Sequence, residues 1–123
     1  MIFYENKFFI LSIGNNILSL ECKSETIIDL ITAQSIVAKR MQLQENKVYP
    51  LFLDMRNIID SDKAGRDYLA QYGFILIKAA AILVKPGVSS IITSFYLKRY
   101  NSEVSVQVFT EKVKALEFLD TFK

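Results

Sequence analysis

The 123-residue chain contains no histidine, one cysteine, two prolines and four glycines. Without an imidazole, the Ser-His-Asp and Cys-His arrangements are excluded, because nothing is there to move the proton for the nucleophile. Histidine-ligated metal sites go with them. A single cysteine, Cys22, can form neither an intramolecular disulfide, nor a CxxC redox pair, nor a zinc cluster. The few glycines match neither the dinucleotide fingerprint nor the phosphate-binding loop, and Gly14 reads as a turn. There is no repeat, no low-complexity tract and no Pro/Gly-rich linker, so residues 1–123 are expected to form a single domain.

Charge and hydropathy exclude more. A net charge of +2 offers no concentrated basic face, so nucleic acid is not an expected partner. The longest apolar stretch, Phe74 to Val84, is interrupted by Lys78 and falls short of the ~20 residues of a membrane-spanning helix. The opening MIFYENKFFILSIG has Glu5 ahead of its apolar run and no basic segment before it. It does not read as a secretory leader, and the cytoplasm is the expected compartment. With 51% apolar and 23% charged residues, the chain can bury a core without staples.

FFILSI and ILSLEC flank Gly-Asn-Asn and predict a β-hairpin, with Ile2 to Tyr4 as an extension of its first strand. Phe9, Leu11 and Ile13 share a face, as do Leu18, Leu20 and Cys22. Asp29 caps a helix running to about Leu43, whose apolar stripe is Leu30, Ala33, Val37 and Met41, with Arg40 off the stripe. VYPLFLDM predicts a buried parallel strand with Pro50 near its start. Ser61 or Asp62 caps a second helix of about three turns, with Ala64, Gly65, Tyr68 and Tyr72 lining one side and Gly73 as its stop. Ala79 to Val84 form a central strand, and Phe74 to Ile77 either begin it or precede it as a loop. After Pro86-Gly87 a third helix turns Val88, Ile91, Ile92 and Phe95 inward. VSVQVF is the last strand. Thr110 caps the last helix, which buries Ala115, Leu116, Leu119 and Phe122. The order β-β-α-β-α-β-α-β-α predicts an α/β fold: a mixed, mostly parallel five-stranded sheet with an N-terminal hairpin and four helices.

The segment LFLDMRNIIDSDKAGRDYL concentrates the candidate functional residues. Asp54 ends a parallel strand, where ligands of such sheets bind. Asp60, Ser61 and Asp62 gather where the next helix begins, a place that favours anions. A phosphate on Ser61 would be stabilised by that helix and repelled by its acidic neighbours. The plain alternative is a helix cap and a strand end. Asp54 with Lys85-Pro86 also has the outline of a receiver domain, but such domains need an acidic pair after the first strand. SIGNN carries no carboxylate, so Lys85 reads as a solvated strand-end charge. Phe74, Leu76 and Leu97 are candidate interface residues, against the alternative of core or scattered surface positions. Cys22 is expected to be a buried, inert thiol.

On the order of elements and the segment LFLDMRNIIDSDKAGRDYLA, the chain resembles STAS-like domains, the group named for sulfate transporters and anti-sigma-factor antagonists. AAAILVKPGVSSIITSFY and VQVFTEKVKALEFL resemble the later repeats of such a domain. In that group an aspartate ends the central strand and a serine, phosphorylated by a partner kinase, opens the next helix. Asp54 and Ser61 occupy similar places. The group's Asp-Ser-Ser-Gly turn is replaced here by DSDKAG, one residue closer to Asp54.

The expectation is therefore a non-catalytic regulatory or protein-interaction module, possessing no cofactor or metal and acting through the Asp54 to Asp62 turn. It expects a protein partner, with a homodimer as a further option. A carrier of a small ligand or lipid is the alternative, with its site between the third helix and the sheet or at Ser89/Ser90. An enzyme using Asp54, Asp60 or Asp62 with a metal ranks last.

Overall fold

The computed structural model describes residues 2–87 and 104–123. Its strands are β1 (Ile2–Glu5), β2 (Phe9–Gly14), β3 (Ile17–Cys22), β4 (Thr26–Ile28), β5 (Tyr49–Asp54), β6 (Ile58–Ser61), β7 (Ile77–Leu83) and β8 (Ser105–Phe109). Its helices are α1 (Leu30–Gln44), α2 (Lys63–Tyr72) and α3 (Lys112–Asp120). Six strands form the main sheet in the order β1-β2-β3-β5-β7-β8, while β4 and β6 pair in a separate two-stranded sheet. β2 runs antiparallel to both β1 and β3, and β3, β5, β7 and β8 run parallel.

The mixed α/β architecture agrees with the sequence reading, but the strand count does not. Ile2 to Tyr4 do not extend the first strand. Asn6 accepts hydrogen bonds from the backbone N–H of Phe8 (2.8 Å) and Phe9 (2.9 Å), and this turn folds β1 back on β2 as a sixth strand. Thr26–Ile28 and Ile58–Ser61 are additional short strands that the sequence reading did not include. Three helices lie among the described residues. The one expected from Val88, with Ile91, Ile92, Phe95 and Leu97, lies outside them.

The β2–β3 turn follows from its asparagines. Asn15 (φ 54°) and Asn16 (φ 60°) both occupy the left-handed region, which a two-residue type I′ turn requires and asparagine tolerates. The resulting register pairs Phe9 with Cys22, Leu11 with Leu20 and Ile13 with Leu18, so both apolar sets lie on one face. α1 and α2 cover that face, joined by Leu51, Leu53, Ala80 and Ile82. The opposite face, with Phe52, Ala79, Ala81 and Leu83, packs against Ala115 and Leu119 of α3. The alanines of β7 let helices approach on both sides. Pro50 needs no ladder donor on the β3 side, where pairing with β5 begins only at Leu51.

The helices bury Ala33, Val37, Gly65, Ala115 and Leu119 as their periodicity suggested, but other positions differ. Leu30 is exposed, whereas Arg40 is only 2% exposed and Gln44 fully buried. α1 packs on the sheet and on α2 together, so its buried arc is wider than a single stripe and includes Thr32, Ala33, Ile36 and Val37. In α2, Ala64 and Tyr72 face solvent and Gly65 and Ala70 are buried. Glu111, not Thr110, stands at the N-cap of α3, without a side-chain cap bond.

Candidate functional site

Asp54 closes β5 and is buried. Its Oδ1 accepts from Arg56 Nε (3.0 Å) and from the Arg56 backbone N–H (3.1 Å), and its Oδ2 accepts from Arg56 Nη2 (2.8 Å). Burial alone would raise the carboxyl pKa. The Arg56 hydrogen bonds and charge, with Lys112 further off, outweigh burial and hold it below the ordinary 3.8. A carboxylate engaged in this way is a structural clamp on the β5–β6 loop. Met55 N–H donating to Leu83 O (2.9 Å) and Asn57 Nδ2 donating to Cys22 O (3.5 Å) hold the same loop.

The sign of the resulting pH dependence is fixed. The Asp54 carboxyl is more acidic folded than unfolded, so its contribution is complete above the unfolded value. It is lost as pH falls through the folded one. Asp54→Asn is expected to flatten the acid limb of a stability–pH curve below about pH 4 and to lower stability at neutral pH. An acid limb of unchanged slope in urea titrations would refute this assignment.

Asp60, Ser61 and Asp62 do come together, at the end of β6. Asp62 is the N-cap of α2, with Oδ1 accepting from Gly65 N–H at 2.7 Å. Asp60 is exposed, and its Oδ1 accepts from Ser61 N–H at 2.8 Å. Ser61 is not a cap but the last residue of β6. Arg66 Nη1 donates to its carbonyl (2.7 Å) and to its Oγ (3.2 Å). Among the described residues no three His, Cys, Asp or Glu side chains gather to hold a metal ion.

β6 pairs with β4, placing Ile27 opposite Asp60 and Ile28 opposite Ser61. Strand alternation turns Ile28 into the core and leaves Ile27 48% exposed, with Leu30 (38%) and Ile31 (77%) following at the start of α1. This apolar surface beside Ser61 was not singled out from the sequence. Its signal was Thr-Ile-Ile before the Asp29 cap: two adjacent isoleucines in an extended stretch cannot both point inward.

Phe74 to Leu76 form the turn before β7, and only Ile77 belongs to the strand. Phe74 packs partly against the core and Leu76 is half-buried, while Ile75 is the exposed member. Leu97 lies outside the described residues. The turn is held from α1: Arg40 donates to Ile75 O (2.7 Å), Tyr72 O (3.1 Å) and Gln44 Oε1, and Gln44 Nε2 donates to Leu76 O (3.0 Å). Burial pushes the Arg40 guanidinium down to about 10.

Under this turn lies an apolar cavity of about 40 Å³. Leu20, Leu51 and Leu53 of the sheet form its floor, and Ile36, Val37 and Leu69 of the helices its roof. Cys22 borders it. Burial first, then the charges of Asp54 and Glu21, push that thiol up to about 12, consistent with an inert core thiol.

A six-stranded mixed sheet with helices on both faces is a SpoIIAA-like fold, the fold of the STAS-like group that the sequence resembles. A crystal structure from Shewanella loihica PV-4, of an uncharacterized protein from the DUF3478 family with a SpoIIAA-like fold, is similar with a TM-score of 0.69. The match covers 94% of this chain and 98% of that one at 10% identity. The chain belongs to the family described as domain of unknown function DUF7793, whose profile matches residues 11–123. No protein of curated function matches the sequence. Among the described residues no helix is long and apolar enough to cross a membrane.

Proposed function

We propose that the protein is a non-catalytic regulatory module that binds a protein partner through the β4–β6 pair and the start of α1, switched by phosphorylation of Ser61. The observation that carries this reading is a juxtaposition. Ile27, Leu30 and Ile31 are exposed on β4 and the start of α1, and the strand paired with β4 ends on a serine whose hydroxyl already meets an arginine. Apolar residues contiguous on a surface favour a partner interface over scatter. A phosphoryl group on Ser61 would add about −1.5 to −2 of charge, with Arg66 at hand to receive it and Asp60 and Asp62 to repel it. That conflict would rearrange the surface where the partner sits. The absence of histidine and the engagement of Asp54 by Arg56 support a non-catalytic role. The proposed setting is the cytoplasm, in keeping with one buried free thiol and no cysteine pair.

Native mass spectrometry of the chain purified from its own host is expected to show a bound protein, a phosphate, or both; a second copy of the chain would make the partner a homodimer. Ile31→Asp is expected to weaken the complex by about tenfold or more with little change in melting temperature, since Ile31 is 77% exposed. Complexes of undiminished strength with both Ile31→Asp and Ser61→Asp would defeat the proposal. The second reading, a carrier of a small ligand, is favoured by the apolar cavity beneath α1 and α2.

A further inference from the structure

We propose that the cavity between the sheet and α1/α2 is a binding site for a small, uncharged, apolar molecule of a few carbon atoms. This deepens the carrier reading and is independent of the partner surface.

Interiors normally close to the density of organic crystals, so a persistent space needs walls that cannot collapse. Each wall here is fixed. Arg40 and Gln44 tie the α2–β7 turn to α1. Asn57 ties the β5–β6 loop to β3. Gly65 seats α2 directly on the backbone of Ile28 and Asp29. The space of about 40 Å³, partly open to the surface, exceeds the roughly 10–15 Å³ that one water requires, yet water also requires polar partners. The lining is nearly all apolar, and the Arg40 guanidinium directs hydrogen bonds to Tyr72, Ile75 and Gln44. No lining carboxylate or lysine is present to orient an ionic ligand. Neutral, apolar and small is the class that remains.

The half-buried members of the lining, Met55, Ile58, Leu69, Gly73 and Phe74, lie on the β5–β6 loop, β6, α2 and the α2–β7 turn. Ile28 and Ile58 also line the cavity, and their strands carry Ile27 and Asp60 on the outside. An occupant therefore presses on the back of the proposed partner surface.

Xenon, a spherical apolar probe, tests the site in the ¹⁵N-labelled full chain. Saturable amide shifts clustered around Leu20, Cys22, Val37 and Leu53 are expected. Cys22→Leu, which fills the space, is expected to weaken xenon binding by about tenfold or more. Val37→Ile, a smaller filling, gives the same direction if Cys22→Leu does not fold. Shifts that never saturate, or saturable ones unchanged in the filled variants, would overturn the site. Native mass spectrometry of host-derived protein separates this from the carrier reading. A small neutral adduct lost on denaturation supports both, and saturable xenon binding without an adduct supports the site and removes the carrier role. An adduct with the mass of an intact lipid would overturn the proposed ligand class.

Discussion

Arg40→Ala is expected to lower the unfolding free energy by about 3 kcal/mol, the cost of leaving several acceptors without their donor. Arg40 is 2% exposed and has no carboxylate partner in its network. Its partners are the carbonyls of Tyr72 and Ile75 and the Gln44 side chain, which together close the C-terminal end of α2. A cation there meets the negative end of the helix dipole, which offsets part of the cost of burial that pushes the guanidinium down to about 10. Truncation leaves the buried Gln44 oxygen and two part-buried carbonyls without this donor, at about 1–3 kcal/mol each where water cannot replace it. Against a typical total of about 5–15 kcal/mol, the variant is expected to be near the margin of folding. Arg40→Lys keeps the charge but not the planar fork, and is expected to fall between. Urea titrations with unchanged slope would measure the loss. A cost below about 1 kcal/mol, the worth of one ordinary hydrogen bond, would remove Arg40 from its role as the link between α1 and α2.

Gly65→Ala is expected to destabilise, although glycine to alanine inside a helix ordinarily stabilises by about 1 kcal/mol. Gly65 lies in the first turn of α2, where an added Cβ would stand 2.6 Å from Ile28 O and 2.8 Å from both the carbonyl carbon and oxygen of Asp29. All three are backbone atoms and cannot swing aside. α2 must lift from the β4–α1 junction, straining the Asp62 N–H to Ile28 O bond of 3.1 Å. Overpacking of this kind costs about 1–3 kcal/mol or more, so the expected net loss is about 2 kcal/mol relative to the wild-type chain. The melting temperature of the variant reads the sign directly. A rise would mean that α2 does not rest on that junction.

Much of this architecture was legible in the sequence because strong local signals and tertiary demands agree. The Gly-Asn-Asn turn, the Asp29 cap (Thr32 N–H to Oδ1, 2.8 Å) and the alternation of β8 all form where the residues place them. Arg40 was misread, and Gln44 passed over, because charge and polarity point to solvent in a single-helix view. The carbonyls that attract them belong to a turn some thirty residues on. β1 was merged into β2 because its break is made by Asn6 alone, without glycine or proline. The Asp60-Ser61-Asp62 cluster was found, but the division of labour within it depends on β6. That strand holds Ser61 in the small sheet and passes the cap to Asp62. Asp54 was identified as a strand end, while its clamp two residues later was overlooked.

The β4–β6 pair works as a partition only two strands wide. One surface belongs to the interior and the other to whatever lies outside, with barely a side chain's thickness between them. Such a wall separates two kinds of constraint by parity. Ile28 can change only as a core residue changes, in small steps of volume, whereas its neighbour Ile27 is free to follow a partner. Inserting or deleting one residue in Thr26–Ile28 would exchange the two roles at once. Drift in partner choice is therefore open to substitution here, while change of length is closed.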